Sequence, residues 1–500
     1  MQPDSVKAPL ILTIDAGTSS VRVQLYDHQG RQVEGVASHE PCHLHTTAEG
    51  AVEEHPDEML ARIERCLDAA LEQAKTRLLA SAVSGVACDT LAATILAIDK
   101  AGRPITPLIT YADTRNAQDS EALRRQLDER AIHDRTGCML RSSYWPARLA
   151  WFRRTQPEVW RNAARWITLG EYLELRLFGQ SRVSYSIASW SGLLDRRTLR
   201  WDAPLLDALG LTPEQLSPLI ERNEPLRSLA APYASRWPAL RDVPWFPAIG
   251  DGAAANIGSG CVSHERIALT IGTSGAMRAI VDEVPEVPAG LWLYRVDRRR
   301  ALLGGATSEG GNVYAWMRQT LQLGQPEALE QALEAMPPDS HGLTVLPFLA
   351  GERSPGWAGD VKATITGLSL SATPLDILRA SLEAVAYRFA LIAQGICNRA
   401  DCTHRFIASG GGLLHSSAWM QIFADVLGRP VVASAEPEAT SRGAALLALE
   451  TLGAMPAIET VPAADGAIYQ PNPERQERYR AAIARQQRLY DLLIPHSAPA

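Results

Sequence analysis

Two short segments of the chain combine glycine with hydroxyl side chains in a way that suits phosphate binding. Residues 12–19 read LTIDAGTS and residues 269–275 read LTIGTSG. Glycine permits a tight turn that exposes backbone N–H groups, and threonine and serine add hydroxyl donors, so such a turn can hold phosphate oxygens without a lysine. No GxxxxGK[ST] segment occurs, so a Walker A loop is excluded. The residues of the two turns are Gly17, Thr18, Ser19, Gly272, Thr273 and Ser274.

Two aspartates lie where they could take part in phosphate chemistry. Asp15 directly precedes the first turn and would face a nucleotide's Mg²⁺, directly or through water. Asp251 stands between two glycines in IGDGAAA, after an apolar strand end and before small helix-forming residues. In α/β folds ligands bind at such strand ends, and the glycines would leave room for a substrate hydroxyl. The alternative for Asp251 is a helix N-cap.

Further glycine clusters offer less specific signals. The run SGGG at 409–412 follows a strand-like segment and precedes a helix, so it permits close approach of a flat ligand such as adenine, or forms only a tight turn. Gly310 and Gly311 raise the same two alternatives before the helical pattern of 313–317. Asp89 follows an apolar run and would occupy a turn at a strand end or contact a ligand there.

The elements around the two Gly-Thr-Ser segments predict how they are positioned. Each segment follows an apolar β-type run and precedes a second strand-like run, at 21–26 and at 277–281. Each is therefore predicted to be the tip of a β-hairpin. The two copies lie about half the chain length apart, which indicates two similar domains that face each other and clamp one polyphosphate.

Alternating strand and helix patterns predict the α/β class. Helices are predicted to begin at His55-Pro56, Thr373-Pro374 and Asn472-Pro473. A proline-rich stretch at 225–247 is the best candidate for a domain boundary. We therefore expect a first domain at 1–245, a second at 246–455 and a C-terminal extension ending in a helix at 456–500.

Length and composition exclude several classes of protein. The 500 residues are too many for one ordinary core, and 46% hydrophobic and 21% charged residues fit an ordinary globular protein rather than a disordered or fibrous one. The net charge of −7 gives no reason to bind nucleic acid or an anionic membrane. Seven cysteines without a CxxC pair fit reduced thiols, and no signal-peptide pattern is seen, so we expect a cytoplasmic protein.

The motifs together resemble those of the FGGY carbohydrate kinases, which belong to the actin, Hsp70 and hexokinase superfamily. The resemblance covers nearly the whole chain, and the order and spacing of its pieces are highly specific. The pieces are LTIDAGTSSVRVQLYD at 12–27, YADTR at 111–115, TGCMLRSSYWPARLAW at 136–151, IGDGAAANIGSG at 249–260, LTIGTSG at 269–275, FLAGERSPGW at 348–357, ASGGGLLHSSAWMQIFADVLGRPV at 408–431 and EATSRGAALLA at 438–448.

The resemblance implies two ribonuclease-H-like domains with ATP, Mg²⁺ and a small sugar, sugar acid or polyol in the cleft between them. It implies that Asp251 is the catalytic base and that Asp15 serves the metal. The implied nucleotide-binding residues are Asp15, Gly17, Thr18, Ser19, Gly272, Thr273, Ser274, Gly311, Gly411, Gly412 and Ser416. The expected substrate-binding residues are Asp89, Thr90, Asp113, Arg115, Tyr144 and Asp251. A homodimer is common in the family.

The segments VSYSIASWSGLL at 183–194 and GERSPGW at 351–357 look most like the gluconokinase branch. A xylulokinase or another pentulose or polyol kinase is the alternative. The Met-His-Gly motif usual in xylulokinases is replaced here, near Ala92–Thr94, and known gluconokinases often keep Met-His there too. A gluconate carboxylate would need cations, for which Arg115 or Arg141 are candidates. An actin-like or Hsp70-like ATPase without a sugar substrate, or an inactive sensor, would be the alternatives of another class.

Overall fold

The computed structural model describes residues 6–263, 265–282, 286–397 and 404–494. Cys402, one of the seven cysteines, lies outside the described residues, as do the extreme ends of the first and last predicted segments. In the described part of the chain, every helix is too short or too polar to cross a membrane.

A five-stranded sheet organises the first half of the chain. The three strands from Ile249–Gly250 to Leu10–Ala16 are parallel, and the last two are antiparallel. Side chains on one face of Leu10–Ala16 pack under helix Pro56–Thr76. In spatial order the strands are Ile249–Gly250, Val83–Thr90, Leu10–Ala16, Ser20–Tyr26 and Gln32–Pro41.

A seven-stranded sheet organises the second half and repeats the pattern of the first. Its hairpin Arg266–Ile271 and Gly275–Val281 corresponds to Leu10–Ala16 and Ser20–Tyr26, and two parallel strands follow on the same side. The predicted α/β class with two similar domains is therefore confirmed. In spatial order the strands are Trp292–Arg295, Ala301–Thr307, Gly275–Val281, Arg266–Ile271, Arg405–Ser409, Val431–Ser434 and Asp465–Tyr469.

Helices cover the sheets and fill an insertion in the first half. Those predicted at Pro56, Pro374 and Pro473 begin there, the second behind a Thr373 capping box and the third behind Asn472. The α-helices are Pro56–Thr76, Ala117–Gln126, Glu129–Thr136, Trp145–Thr155, Pro157–Asn162, Leu169–Phe178, Tyr185–Trp190, Ala203–Leu209, Ala231–Arg236, Asp251–Gly258, Gly311–Thr320, Pro326–Ala335, Pro374–Ile396, Gly411–Leu414, Ser417–Leu427, Ala439–Thr451 and Pro473–Leu493.

Short elements complete the framework. The 3₁₀ helices are Ala80–Ala82, Pro213–Gln215, Pro238–Leu240 and Ile458–Thr460. The small sheets consist of His45–Thr46, Val52–Glu54 and Leu108–Ile109; Leu96–Ile98 with Arg165–Ile167; Val183–Ser184 with Leu219–Ile220; Leu194–Asp195 with Arg200–Trp201; and Thr344–Leu346 with Thr364–Thr366.

The proline-rich stretch is not an extended linker. Leu226, Trp237 and Leu240 are buried, and Trp245 forms a bridge with Val86 of the first sheet. The strand Ile249–Gly250 then pairs with Val83–Thr90 in the same sheet. These contacts lead us to propose that the first domain extends through helix Asp251–Gly258, beyond the predicted division at 245. The predicted C-terminal extension adds an edge strand and a helix to the second domain, where Tyr479 is fully buried.

The two halves meet through a pair of corresponding helices. Helix Asp251–Gly258 follows the last strand of the first sheet, and helix Ala439–Thr451 follows the equivalent strand Val431–Ser434. They pack backbone to backbone: a Cβ atom added to Gly258 would lie 1.7 Å from the Ala439 carbonyl oxygen, and one added to Gly443 would lie 1.9 Å from the Ala254 carbonyl oxygen. Only glycine permits this approach.

We predict that Gly443→Ala strongly destabilises the protein. The added methyl group has no space beside the Ala254 carbonyl, and overpacking of this kind costs about 1–3 kcal/mol or more. The matched control is Gly324→Ala, where an added Cβ would meet nothing within 4 Å. Thermal unfolding should show a lower Tm for Gly443→Ala only; equal Tm values for the two variants would contradict the close packing.

Candidate active site

Three carboxylates gather at one edge of the first sheet. The strands Leu10–Ala16, Val83–Thr90 and Ile249–Gly250 are parallel, with Asp15 in register with Asp89. Asp251 follows the third strand as the first residue of its helix. Because the carboxyl ends of parallel strands share one edge, the three aspartates come within electrostatic reach of one another.

Asp15 and Asp89 lie side by side on neighbouring parallel strands. Asp89 is fully buried, and neither of its oxygens receives a hydrogen bond from a donor in the described residues. Burial raises the pKa of Asp89 well above its ordinary value, and the charge on Asp15 raises it further. Both effects favour the protonated, neutral form of Asp89. Asp15 is itself only 5% exposed and lines neither of the two cavities described below.

Arg22 is a member of this cluster that the sequence analysis missed. Its Nη1 lies 3.3 Å from Asp15 Oδ2 and 3.9 Å from Glu438 Oε2 of the second half. Burial raises the pKa of Asp15, whereas Asp89 and Arg22 oppose that shift. The signal was present in the predicted hairpin, because Asp15 and Arg22 are directly opposite each other across it.

Both Gly-Thr-Ser segments form hairpin tips, as predicted. The Gly17 N–H donates to the Ser20 carbonyl at 3.0 Å, and the Gly272 N–H donates to the Ser274 carbonyl at 3.0 Å. Within the described ranges, the hydroxyl groups of the two tips make no hydrogen bond to protein. These hydroxyl groups belong to Thr18, Ser19, Thr273 and Ser274. Thr273 and Ser274 line the larger of the two cavities described below, whereas Thr18 and Ser19 line neither of them.

The second tip is held by two other glycine segments. The Gly311 N–H donates to the Gly272 carbonyl at 2.7 Å. A Cβ atom on Gly412 would lie 3.1 Å from that same carbonyl oxygen, and Gly410, with φ of +87°, packs on Ile271. The structure thus brings the predicted residues Gly311, Gly411 and Gly412 to the second tip.

Two cavities meet at the second tip. The larger, about 880 Å³, opens between the halves and has Asp251, Gly272–Ser274 and Ser409–Gly411 in its wall. The smaller, about 570 Å³, is lined by Thr273, Gly311, Trp316 and Gly412 among others. A ligand with a polyphosphate chain could therefore cross the tip from one cavity to the other.

Asp251 is a half-buried carboxylate in the wall of the larger cavity, which Glu436 also lines. Its Oδ1 accepts the Gly252 N–H at 2.7 Å, and the N-cap position is taken by Gly250, so the capping alternative does not describe it. Burial raises the pKa of Asp251 to about 6, against the opposing effects of the Gly252 N–H and Arg278. A carboxylate with this pKa is suited to accept a proton near neutral pH.

An aromatic wall lines the larger cavity together with Asp251. The hydroxyls of Tyr144 and Tyr294 are 2.6 Å apart, and the ring of Trp190 stacks on Tyr294 with centroids 3.7 Å apart. The ring of Trp292 stacks on the same tyrosine at 4.4 Å. Tyr144 was predicted for the substrate side, whereas the sequence analysis missed Trp190, Trp292 and Tyr294. The alternation of side chains along strand Trp292–Arg295 was the only signal that could have indicated Trp292 and Tyr294.

The glycines beside Asp251 accommodate a tryptophan. A Cβ atom on Gly250 would lie 2.6 Å from Trp190 Nε1, and one on Gly252 would lie 3.1 Å from Trp190 Cη2. The indole therefore packs directly over the backbone that carries Asp251. The space that the glycines were predicted to leave for a substrate hydroxyl is therefore partly filled by the Trp190 ring.

Several predicted substrate residues have other partners in the structure. Asp113 accepts the Val52 N–H at 3.0 Å and pairs with Arg115, which also pairs with Glu53. Arg141 pairs with Glu129. The residues predicted for substrate contact that do not line the cavity are Asp89, Thr90, Asp113 and Arg115, so direct contact by them is unsupported. Tyr111 of the same YADTR segment does line it.

Ser416, expected on the adenosine side, caps a helix instead. Its hydroxyl accepts the Trp419 N–H at 3.1 Å and donates to Glu330 at 3.0 Å. It lines neither of the two cavities at the second tip. Its predicted role in nucleotide binding is therefore unsupported by these contacts.

The paired domains, the two hydroxyl-bearing tips and the carboxylate in the cleft define a phosphotransferase of the actin-like ATPase fold. The N-terminal domain of the FGGY family of carbohydrate kinases matches residues 10–258, and the C-terminal domain of that family matches residues 267–451. The chain belongs to the FGGY family and is an ATP-dependent carbohydrate kinase.

Known kinases of this family are similar to the chain over nearly its whole length. The gluconokinase of Bacillus subtilis is 27% identical over 95% of this chain and 94% of its own length. The xylulose kinase of Lactococcus lactis is 23% identical over 94% of each chain. The crystal structure of a gluconate kinase from Lactobacillus acidophilus, 24% identical, superposes with a TM-score of 0.90 and covers 97% of this chain and 99% of that one.

We predict that Asp251→Asn keeps ATP binding and loses most of its turnover. An amide has the same shape but cannot accept the proton of a substrate hydroxyl, and such a loss costs about 10²–10⁴-fold in kcat. The control is Asp242→Asn, which changes an exposed carboxylate outside the cavity. ATP-dependent ADP release would be measured for both variants; a near-normal kcat for Asp251→Asn would show that another group is the base.

Proposed function

We propose that this kinase transfers the γ-phosphoryl group of ATP to a hydroxyl of gluconate or a closely related sugar acid. The observation that carries the proposal is the position of Asp251, in one cavity with the second tip and the aromatic wall. The greater similarity to a gluconokinase than to a xylulose kinase supports the sugar-acid class. Phosphorylation of xylulose or a polyol is the second candidate.

The residues present fit ATP and Mg²⁺. The four tip hydroxyls have no protein partner in the described segments, and carboxylate oxygens such as those of Asp15 are the ligands that Mg²⁺ prefers. Bound ATP would supply the phosphoryl group, and Mg²⁺ would neutralise charge on its oxygens. The acidic protein needs no basic surface for this, since tip hydroxyls, backbone N–H groups and the metal meet the charge.

The chain's own groups would then position the reactants. Phosphoryl transfer passes through a loose transition state, so catalysis depends mainly on alignment and on stabilising charge on the phosphoryl oxygens. Thr273 and Ser274 would hold those oxygens from the second half, and Thr18 and Ser19 from the first. Asp251 would orient the attacking hydroxyl and accept its proton late in the transfer.

A panel of acceptors tests the proposed function. We expect ADP release, in a coupled assay, to depend on adding a sugar and to be fastest with gluconate among gluconate, xylulose, ribulose, glycerol and erythritol. ATPase activity without any acceptor would favour the actin-like alternative. Faster ADP release with xylulose or a polyol than with gluconate would favour the second candidate function, phosphorylation of xylulose or a polyol. Homodimer formation and a cytoplasmic location stay predictions.

The pKa of Asp251 predicts an acid limb in the rate profile. Because burial raises this pKa to about 6, the carboxylate becomes protonated, and unable to act as a base, at a higher pH than an ordinary aspartate. We expect kcat/KM to fall about tenfold per pH unit below the pKa and to level off above about pH 7. A profile that stays flat down to about pH 5 would contradict the assignment.

A further inference from the structure

Two arginines in the larger cavity form no ion pair with a carboxylate among the residues that the structure describes. Arg278 and Arg353 both line the cavity and are half-buried. Across the residues that the structure describes, neither makes a side-chain hydrogen bond or an ion pair within 4.0 Å. Arg115 and Arg141, which the sequence suggested as cations for a substrate, are by contrast both paired with acids.

Arg278 projects from the second sheet towards Asp251. It lies on strand Gly275–Val281, on the face that lines the cavity, in register with Gly304 on the neighbouring strand. Its Nε is 3.6 Å from the position that a Cβ atom would occupy on Gly252. The guanidinium is therefore beside the backbone of the catalytic segment, at a distance that leaves it outside an ion pair with Asp251.

Arg353 comes from the GERSPGW segment and acts on the aromatic side of the cavity. Its positive charge acts to lower the pKa of the Tyr144 and Tyr294 hydroxyls. Burial lowers the pKa of Arg278, and the charge of Arg353 lowers it further. Two cations that repel each other in a partly desolvated cavity are costly unless an anion joins them. A planar carboxylate matches the forked donors of a guanidinium.

We propose that Arg278 and Arg353 bind the carboxylate of a sugar-acid substrate and thereby set the specificity of this kinase. The inference rests on the proposed function and names the groups that would select a sugar acid over a neutral polyol. The aromatic wall beside Arg353 favours the substrate's own carboxylate over a phosphate of ATP, because the hydroxyls suited to phosphate lie at the second tip. With its acid end on the arginines, the substrate would offer a hydroxyl to Asp251.

The test compares gluconate with D-glucitol, which has the same carbon chain but a neutral CH₂OH end. We expect Arg278→Gln and Arg353→Gln each to raise KM for gluconate about tenfold or more, because a charge-assisted contact is lost. KM for ATP and KM for glucitol should change less than about twofold, since neither ligand has a carboxylate for the arginines to bind. The control is Arg241→Gln, an exposed arginine outside the cavity, which should leave all three values unchanged.

Calorimetry separates failure of this inference from failure of the proposed function. Gluconate should bind to Asp251→Asn, and binding should be lost when Arg353→Gln is added. If the arginine variants raise KM for ATP but not for gluconate, the pair serves the nucleotide and the inference is wrong. If the wild type phosphorylates only neutral sugars, the protein is a kinase but the proposed binding of a substrate carboxylate by the two arginines is wrong. ADP release with no acceptor at all would overturn both.

Discussion

The contact between helices Asp251–Gly258 and Ala439–Thr451 is the constraint on which the site depends. Each helix follows the last parallel strand of its own domain's core, and glycines at 258 and 443 let the two backbones touch. Asp251 begins one of these helices, so its distance from the second tip is set by this packing. A side chain at either glycine would separate the two helices and shift Asp251 relative to the second tip.

The duplicated architecture explains how an acidic protein can hold an acidic nucleotide. Each half contributes one hairpin tip with free hydroxyls, and the first half adds carboxylates at the ends of its parallel strands. Burial raises the pKa of both Asp89 and Asp15, which favours their protonated forms and reduces the negative charge at this edge of the sheet. Arg22 balances Asp15 and also approaches Glu438 of the other half. Negative charge in this part of the cleft is thus balanced by a neighbouring arginine.

Local motifs were sufficient to predict the α/β class and both hairpin tips because each depends on residues adjacent in sequence. The family resemblance added Tyr144 and the role of Asp251 as the base, and both residues line the cavity. Groups that become significant only through long-range contacts were missed. Arg278 and Tyr294 share the cavity with residues more than a hundred positions away, and Trp190 is defined by its stacking over Gly250. For the same reason, the sequence suggested a sugar-binding role for Asp113 and Arg115, whereas in the structure Arg115 forms ion pairs with Asp113 and Glu53.

The most direct test of the account is a crystal structure with gluconate and a non-hydrolysable ATP analogue. The account predicts the γ-phosphate at the hydroxyls of the two tips, a gluconate hydroxyl within hydrogen-bond distance of Asp251, and the gluconate carboxylate at Arg278 and Arg353. A complex in which the sugar acid binds away from Asp251, or in which the γ-phosphate lies far from the second tip, would contradict it.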